Sequence, residues 1–272
     1  MRKIKVKCSY MTAFGRLEPD IVAIALEAAR AVLDTADPEE LGHVYLASYA
    51  PAELCGIPDP FGSISGAIRR AFPGISAEFH GMFRTGGHAL FTALEAMDTN
   101  PQRMLVLGVE KMTHRPPAET AGILSQRENP HDRGYGATLP ALGALVTRAY
   151  MRRHDVPETA LHGVAVKNHK NAAWNPKAQF RRPVTMDEVA SSPLVSDPLR
   201  RFHCAPTTDG AAALLLDADD GEVWYRGWGR GSDLPLFQDR SDIPFYRHRR
   251  RGSGGSAVRR CGTQRYRHRR NS

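Results

Sequence analysis

The sequence lacks any apolar run long enough to cross a membrane. No stretch approaches the roughly 18 to 20 consecutive apolar residues that span a bilayer. The first seven residues, MRKIKVK, lack the apolar core of a secretory signal. We therefore predict a cytoplasmic protein with no membrane segment. Its 272 residues, of which 42% are hydrophobic, are enough for one sizeable core or two modest ones.

Cysteine is scarce and poorly placed for cross-links. Cys8, Cys55, Cys204 and Cys261 are widely separated, and none belongs to a Cys-x-x-Cys pair. This spacing predicts neither a disulfide framework nor a zinc site. We expect reduced, mostly buried thiols and no metal site.

Acidic residues are absent from the last 28 positions. Residues 245–272 contain ten arginines, no lysine and no acid, which leaves 27 basic against 29 acidic residues in 1–244, a net charge of −2. The net charge of +8 therefore belongs to this tail, which has no apolar periodicity and is predicted to be disordered. One interpretation is a tail that binds nucleic acid through phosphate contacts.

A change of reading frame near Pro244 is the interpretation that we favour for the tail. Back-translation of 264–270 (QRYRHRR) with plausible codons gives Ser-Asp-Ile-Asp-Ile-Val when it starts one base later. Shifted reading of GC-rich codons also generates arginine. Under this hypothesis nucleic acid is not a partner.

Residues 76–114 show the order strand, turn, helix, strand. The helix begins at Gly86 and Gly87, where glycine permits a sharp turn, and its apolar residues recur at helical spacing; they are Ala89, Leu90, Ala93, Leu94 and Met97. A buried helix of this kind points free N–H groups and a positive dipole end at the turn. The arrangement suits an oxyanion, a thiolate or a thioester carbonyl.

Strands and helices alternate through the rest of 1–244, which predicts a βαβ architecture. We expect strands over 4–10, 44–48, 104–109, 210–216 and 222–228, with the last as the neighbour of the strand before it. Helices are expected over 21–33, 64–71, 137–154 and 157–168. The proline-rich segments 50–62 and 110–135 are predicted to be irregular.

Five sequence blocks then resemble the thiolase superfamily, in particular its sterol-carrier-protein-type and archaeal acetyl-CoA acetyltransferase branch. The turn before Gly86 is followed by 108–113 (GVEKMT), 136–143 (GATLPALG), 166–171 (VKNHKN) with 175–180 (NPKAQF), 192–199 (SPLVSDPL) and 204–213 (CAPTTDGAAA). Their order and spacing make the resemblance specific over about 4–243.

The resemblance implies a thiolase-like α/β fold. It predicts a βαβ-rich amino-terminal domain over 1–244, with a mixed five-stranded sheet between helices and a loop domain at about 110–190. We expect the carboxy-terminal half of the family fold to be missing from this sequence, because 245–272 does not resemble it. The resemblance also implies an acyl-CoA thioester as substrate, no covalently bound cofactor, and a homo-oligomer or a small partner subunit.

The turn departs from the family pattern at the nucleophile. Catalytic thiolases resemble Cys-Ala-Ser-Gly-Gly here, and aligning the glycines puts Phe83 at the cysteine. A phenyl ring cannot carry an acyl group, so whether this chain is an enzyme stays open. Thr85 and His88 are weak catalytic candidates; a helix cap and a histidine bonded into the core are the favoured interpretations.

The basic residues of the loop domain are the candidate substrate contacts. Lys167, His169 and Lys170, with Lys177, Arg181 and Arg182, could meet the phosphates of coenzyme A. His114 and His169 are the first residues to test as substrate contacts. A solvated charged helix face is equally consistent with the sequence. Asp209 and Gly210 are interpreted as structural turn residues.

Two functions follow, and both stay open. One is acyl-CoA acyl transfer of the acetyl-CoA acetyltransferase type, impaired by Phe83. The alternative is a noncatalytic or retro-aldolase-type subunit that binds acyl-CoA beside a partner chain, since some members of the superfamily cleave carbon–carbon bonds without the cysteine.

Overall fold

A mixed six-stranded sheet with helices on both faces forms the centre of the protein. The computed structural model describes residues 3–126 and 128–229. In chain order its strands are β1 Ile4–Met11, β2 Leu41–Ala47, β3 Glu78–Met82, β4 Arg103–Glu110, β5 Leu194–Ser196, β6 Leu199–Arg200, β7 Gly210–Asp217 and β8 Val223–Tyr225. Its helices are α1 Ile21–Leu33, α2 Pro51–Cys55, α3 Pro60–Ala71, α4 Gly86–Thr99, α5 Pro117–Ser125, α6 Pro130–Gly134, α7 Leu139–His154, α8 Glu158–Ala172 and α9 Met186–Ala190.

The sheet has the strand order β3-β2-β4-β7-β1-β8. Strands β3, β2 and β4 are parallel, and β7 runs antiparallel to both β4 and β1. The parallel strands are joined by helical crossovers, as the βαβ pattern predicts. Strands β5 and β6 form a separate small hairpin.

The last strand corrects two predictions, the count of five strands and the pairing of β8. Strand β8 does not lie beside β7; it pairs with β1 and becomes the sixth strand. Both sides of β7 are already hydrogen-bonded, by β4 on one side and β1 on the other. The nearer free edge of the sheet for the segment that follows β7 is therefore the one beyond β1.

Two apolar layers cover the sheet. Helices α1 and α3 pack on one face with a core that includes Ile24, Leu46 and Leu107, all at most 1% exposed. Helix α4 covers the other face through Ala89, Ala93, Leu94 and Met97, which are fully buried. The predicted apolar face of α4 is confirmed, with Leu90 half-buried at its margin.

The segments predicted to be irregular contain short helices. Helices α2 and α5 begin with Pro51 and Pro117, and α3 and α6 begin with Pro60 and Pro130. Proline is tolerated at the first helical position because its missing N–H would have no intrahelical partner there. Here proline marks helix starts, so the prediction that 50–62 and 110–135 are irregular was wrong for the residues in these helices.

Residues 110–190 carry most of the remaining helices and fall in the same compact unit as the sheet. Their core is small and consists of Ala165, Val184 and Val189, with Val166 and Phe202 at its edge. The predictions for 245–272 lie outside the described residues. Within the described ranges, no helix is long and apolar enough to cross a membrane.

Candidate functional site

Helix α4 starts at the turn that the sequence places at the centre of the chain. The Thr85 side-chain oxygen accepts a hydrogen bond from the His88 backbone N–H at 3.3 Å, which makes Thr85 the N-cap. The prediction of a capping role for Thr85 is confirmed. Gly86 and Gly87 occupy the first two helical positions, where N–H groups have no partner within a helix.

An aromatic side chain stands immediately before this turn. Phe83 is 45% exposed, and its ring meets the Phe61 ring edge-on with 4.9 Å between centroids. Phe61 in turn fills the space beside Gly81, where an added Cβ would lie 2.6 Å from the ring. The Phe83 ring therefore rests on one packed aromatic neighbour.

The carboxyl ends of β2 and β4 and the first residues of β7 surround a recess beside the α4 start, which we call the α4 recess. Its volume is about 320 Å³, and its lining is mostly apolar. The residues that border it include Ala47, Tyr49, Arg84, Thr85, Gly86, Gly108, Glu110 and Ala212. At its floor the Glu110 carboxylate accepts a hydrogen bond from the Tyr49 backbone N–H.

His88 lines a second recess, of about 940 Å³, with Phe83, Thr85 and Thr92. Its side chain is half-buried, so the interpretation of a histidine bonded into the core was wrong. It lies one turn into α4, where the helix still faces the recess. Phe83, Thr85 and His88 are thus brought together as the sequence predicts.

Asp209 holds the loops beside the α4 recess together. Its fully buried carboxylate accepts hydrogen bonds from the backbone N–H groups of Leu17, Met112 and Thr113, from the Thr113 hydroxyl at 2.6 Å and from Lys111 Nζ at 3.0 Å. Burial alone would raise the pKa of Asp209, but the hydrogen bonds from Thr113, Leu17 and Met112 outweigh it and lower the pKa to about 2. The interpretation of Asp209 as structural is confirmed.

A third recess contains His114. It is lined by Arg16, Cys55, Lys111, Thr113 and His114, among others, and the His114 ring nitrogen Nε2 lies 3.0 Å from the Leu54 carbonyl oxygen. Burial, followed by the charge of Glu110, raises the pKa of the Cys55 thiol to about 11. Because the thiolate is the reactive form, Cys55 is a poor nucleophile at neutral pH.

The basic side chains near α8 are far from the α4 start in the sequence. They differ from one another in exposure and in their contacts. Lys167 and Lys170 are exposed. His169 Nδ1 lies 3.1 Å from the Arg182 carbonyl oxygen, and its ring packs against Phe180 and Phe202.

The Lys177 side chain also makes contacts within the protein. Its ammonium lies 3.7 Å from the centroid of the Tyr10 ring and donates to the Met11 carbonyl. Substrate contact by His114, Lys167, His169 and Lys170 stays a prediction.

The structure also brings together three residues that the sequence did not single out. His43 on β2 lies beside Glu78 and His80 on β3, with their ligand atoms within 4.8 Å of one another. The sequence prediction of no metal site considered cysteine spacing alone. A signal was present, since Glu78 and His80 alternate on one strand, but the partner strand and its register were not visible.

The described thiols are free and dispersed. Cys8, Cys55 and Cys204 are each partly buried, and none of them borders the α4 recess. Burial raises the pKa of Cys204 above its ordinary value.

Comparison with known proteins completes this description. The family called "Thiolase, N-terminal domain" matches residues 9–220. The chain belongs to the thiolase family. An acetyl-CoA acetyltransferase of Methanothermobacter thermautotrophicus is 34% identical over 167 residues, which are 58% of this chain and 43% of that thiolase relative.

Two further relatives extend the range of the thiolase family that this chain resembles. Sterol carrier protein 2 of Gallus gallus is 31% identical over 148 residues, 50% of this chain and 26% of that protein. The 17-hydroxy-3-oxo-4-pregnene-20-carboxyl-CoA lyase of Mycobacterium tuberculosis is 33% identical over 101 residues, 36% of this chain and 25% of that protein. The chain thus spans less than half the length of each.

Solved structures confirm the thiolase-like fold. Human mitochondrial 3-ketoacyl-CoA thiolase, in a complex with CoA, superposes with a TM-score of 0.60 at 12% identity, covering 80% of this chain and 65% of that one. The Ltp2-ChsH2(DUF35) aldolase gives a TM-score of 0.61 at 18% identity, covering 79% and 55%. At these identities the likeness concerns the fold alone.

Proposed function

We propose that this chain binds an acyl-CoA thioester at the start of α4 and is a thiolase-type acyltransferase by family, with its own acyl transfer impaired at Phe83. The observation that carries the proposal is the α4 recess, which combines a glycine helix start with a turn that offers no thiol. The acetyl-CoA acetyltransferase relative supports the substrate class. No covalently bound cofactor is needed in this proposal.

The physical basis is the helix start. The N–H groups of Gly86 and Gly87, together with the positive end of the helix dipole, stabilise negative charge that develops on a thioester carbonyl oxygen. The apolar lining contributed by Ala47, Gly108 and Ala212 suits the acyl chain. Binding and polarisation of the thioester are therefore within reach of these residues.

Covalent acyl transfer requires a further group. The nucleophile must be a thiolate or an activated hydroxyl, and the one hydroxyl in the turn, that of Thr85, serves as the helix cap. Phe83 offers a phenyl ring, which packs edge-on against the Phe61 ring and has no nucleophilic atom. Acyl transfer through a covalent intermediate at this turn is accordingly expected to fail.

The test is to measure thiolysis of acetoacetyl-CoA by the full chain. Turnover no greater than that of Phe83→Ala is expected, because neither side chain can accept the acyl group. Phe83→Cys is expected to form a covalent acyl adduct, detectable by intact-protein mass spectrometry, with Phe83→Ser as the matched control. An acyl adduct on the unmodified chain, or turnover clearly above Phe83→Ala, would contradict the proposal.

A second candidate is a retro-aldolase-type subunit that acts beside a partner chain. The observation that favours it is the similarity to the mycobacterial carboxyl-CoA lyase. In such a reaction a base takes the proton of a β-hydroxyl group, the bond between the α and β carbons breaks, and its electron pair moves onto the α carbon. The thioester carbonyl stabilises that charge. In this candidate function the base is His88, which lines the second recess beside Thr85.

The two candidates differ in what binding leads to. Acyl-CoA binding measured by calorimetry without any acylation, together with co-purification of a small partner subunit, would favour the second candidate. A homo-oligomer that binds acyl-CoA alone would favour the first. Both place the protein in the cytoplasm, which fractionation of the source cells would test.

A further inference from the structure

Two histidines and a glutamate face one another at one edge of the sheet. Strands β2 and β3 are parallel, with His43 opposite Glu78 and Tyr45 opposite His80. Side chains of alternate residues on a strand share a face, so Glu78 and His80 lie on the same side as His43. On that side of the sheet Tyr45 packs in the core that helix α4 covers.

The ligand atoms of this cluster are close together. His43 Nδ1 lies 3.1 Å from His80 Nε2 and 3.8 Å from Glu78 Oε2. The two histidine side chains are 18% and 31% exposed, whereas that of Glu78 is 70% exposed. The imidazoles are therefore held by packing, and the carboxylate is free to rotate toward them.

The distance between the two imidazole nitrogens is close to the spacing that a tetrahedrally coordinated cation requires, and rotation of the exposed Glu78 side chain would bring its carboxylate nearer. Bonds of about 2.0–2.1 Å place two ligand nitrogens about 3.3 Å apart around Zn²⁺, close to the 3.1 Å between His43 Nδ1 and His80 Nε2. We propose that His43, Glu78 and His80 bind a late first-row divalent cation, with Zn²⁺ as the probe of choice. Imidazole nitrogen favours Zn²⁺, Cu²⁺ or Ni²⁺ over Mg²⁺ and Ca²⁺, which prefer oxygen.

The surroundings support a preorganised site. The Tyr45 ring stacks on His80 with 4.7 Å between centroids and 15° between planes, which fixes the orientation of that imidazole. Three protein ligands leave a fourth tetrahedral position for water. A bound cation would also tie the edge strand β3 to β2.

The site is separate from the one proposed for acyl-CoA. His43 and Glu78 lie at the amino ends of β2 and β3, whereas the α4 recess borders the carboxyl end of β2. The inference therefore does not rest on the proposed function, and either can fail without the other.

The experiment is a calorimetric titration of the full chain with ZnCl₂, repeated with Co²⁺ and visible absorption. One equivalent per chain is expected to bind. Each of His43→Gln, Glu78→Gln and His80→Gln should weaken that binding by more than about 100-fold, since the loss of even a supporting contact typically costs 10- to 100-fold. Zn²⁺ should raise the melting temperature of the unmodified chain and not that of the variants.

Two controls make the result decisive. His154→Gln removes an exposed histidine on α7 whose ring lies 4.6 Å from the Tyr150 ring, tilted by 45°. The double variant His248→Gln/His268→Gln removes the two tail histidines. Both proteins should still bind one equivalent. Glu78→Gln changes a mostly exposed side chain, so its folding is not in question. The proposal would be overturned if His43→Gln, Glu78→Gln and His80→Gln all kept tight Zn²⁺ binding. It would also be overturned if the tail variant lost that binding.

Discussion

Asp209 is the residue on which the loops beside the α4 recess depend. Asn at this position keeps one acceptor oxygen but cannot accept from all of its present donors, and it leaves Lys111, which is 8% exposed, without its carboxylate. Asp209→Asn is therefore expected to lower the free energy of unfolding by about 3 kcal/mol. Urea denaturation measures it, with exposed Asp34→Asn as the control expected to change little.

The same carboxylate gives a pH dependence with a definite sign. The pKa of Asp209 is lowered to about 2 in the folded protein, below the ordinary value of about 3.9. The unfolded chain therefore takes up the proton first on acidification, and the contribution of Asp209 is lost as the pH falls from about 4 toward 2. A loss of equal size in Asp209→Asn over that range would contradict this assignment.

His203 is a basic group whose pKa is also shifted by its surroundings. Burial lowers the pKa of His203, and the adjacent His162 ring, 5.3 Å away between centroids, lowers it further. Since the unfolded chain binds the proton more readily, stability should fall as the pH decreases below about 6.5. His203→Asn keeps an acceptor for the Arg200 backbone N–H, which now donates to Nδ1 at 3.0 Å, and should flatten this slope.

The measurement for His203 is the thermal midpoint at a series of pH values on both proteins. An unchanged slope in His203→Asn would assign the effect to another group. Glu158 is the acidic group near this pair, 3.6 Å from His162, and opposes the shift by raising the pKa of His203.

Sequence reasoning found the residues whose role depends on neighbours in the chain. The Thr85 cap follows from its place before two glycines and an apolar helix. His43, Glu78 and His80 were missed because their proximity depends on the register of β2 against β3. His88 was misassigned because helical spacing does not tell which flank of a helix remains uncovered.

At the scale of one element, α4 depends on its cap. Replacing Thr85 with alanine removes the acceptor for the His88 N–H and should lower the free energy of unfolding by about 1 kcal/mol, while Thr85→Ser should retain it. Thr99→Ala, at the exposed carboxyl end of the same helix, is the matched control. Equal stability of Thr85→Ala and Thr85→Ser would show that the hydroxyl has another role.

Helices and strands could be predicted where a local sequence pattern determines them. The pairing of strands in the sheet could not. The spacing of Ala89, Ala93 and Leu94 identifies α4 from the sequence because it follows the helical period. The position of β8 depends on which strand edges are already occupied, which no local pattern records. Short helices α2 and α6 were missed because their proline starts also mark turns.

At the scale of the whole molecule, large apolar side chains remain exposed. Trp174 is 85% exposed, Tyr135 83% and Leu145 55%, and Ala212 on central strand β7 is exposed as well. Apolar surface that is exposed to solvent promotes association where it is contiguous. We expect the chain on its own to self-associate, with a concentration-dependent elution volume in size-exclusion chromatography.

A pair of substitutions near the end of α8 sharpens this prediction. Trp174→Gln should increase the monomer fraction, whereas Lys170→Gln, an exposed polar change nearby, should not. A monodisperse monomer at all concentrations would contradict the prediction.

The place of β1 in the sheet sets an order of events on the ribosome. The strand is made first, yet its partners are β7 and β8, and Met11 pairs with Ala212, about 200 residues later, so its contacts are among the least local in the fold. At translation rates of about 5–20 residues per second, β1 waits roughly 10–40 seconds for a hydrogen-bonded neighbour. Throughout that interval the nascent chain exposes the strand to chaperones, and closure of the sheet is necessarily a late event of synthesis.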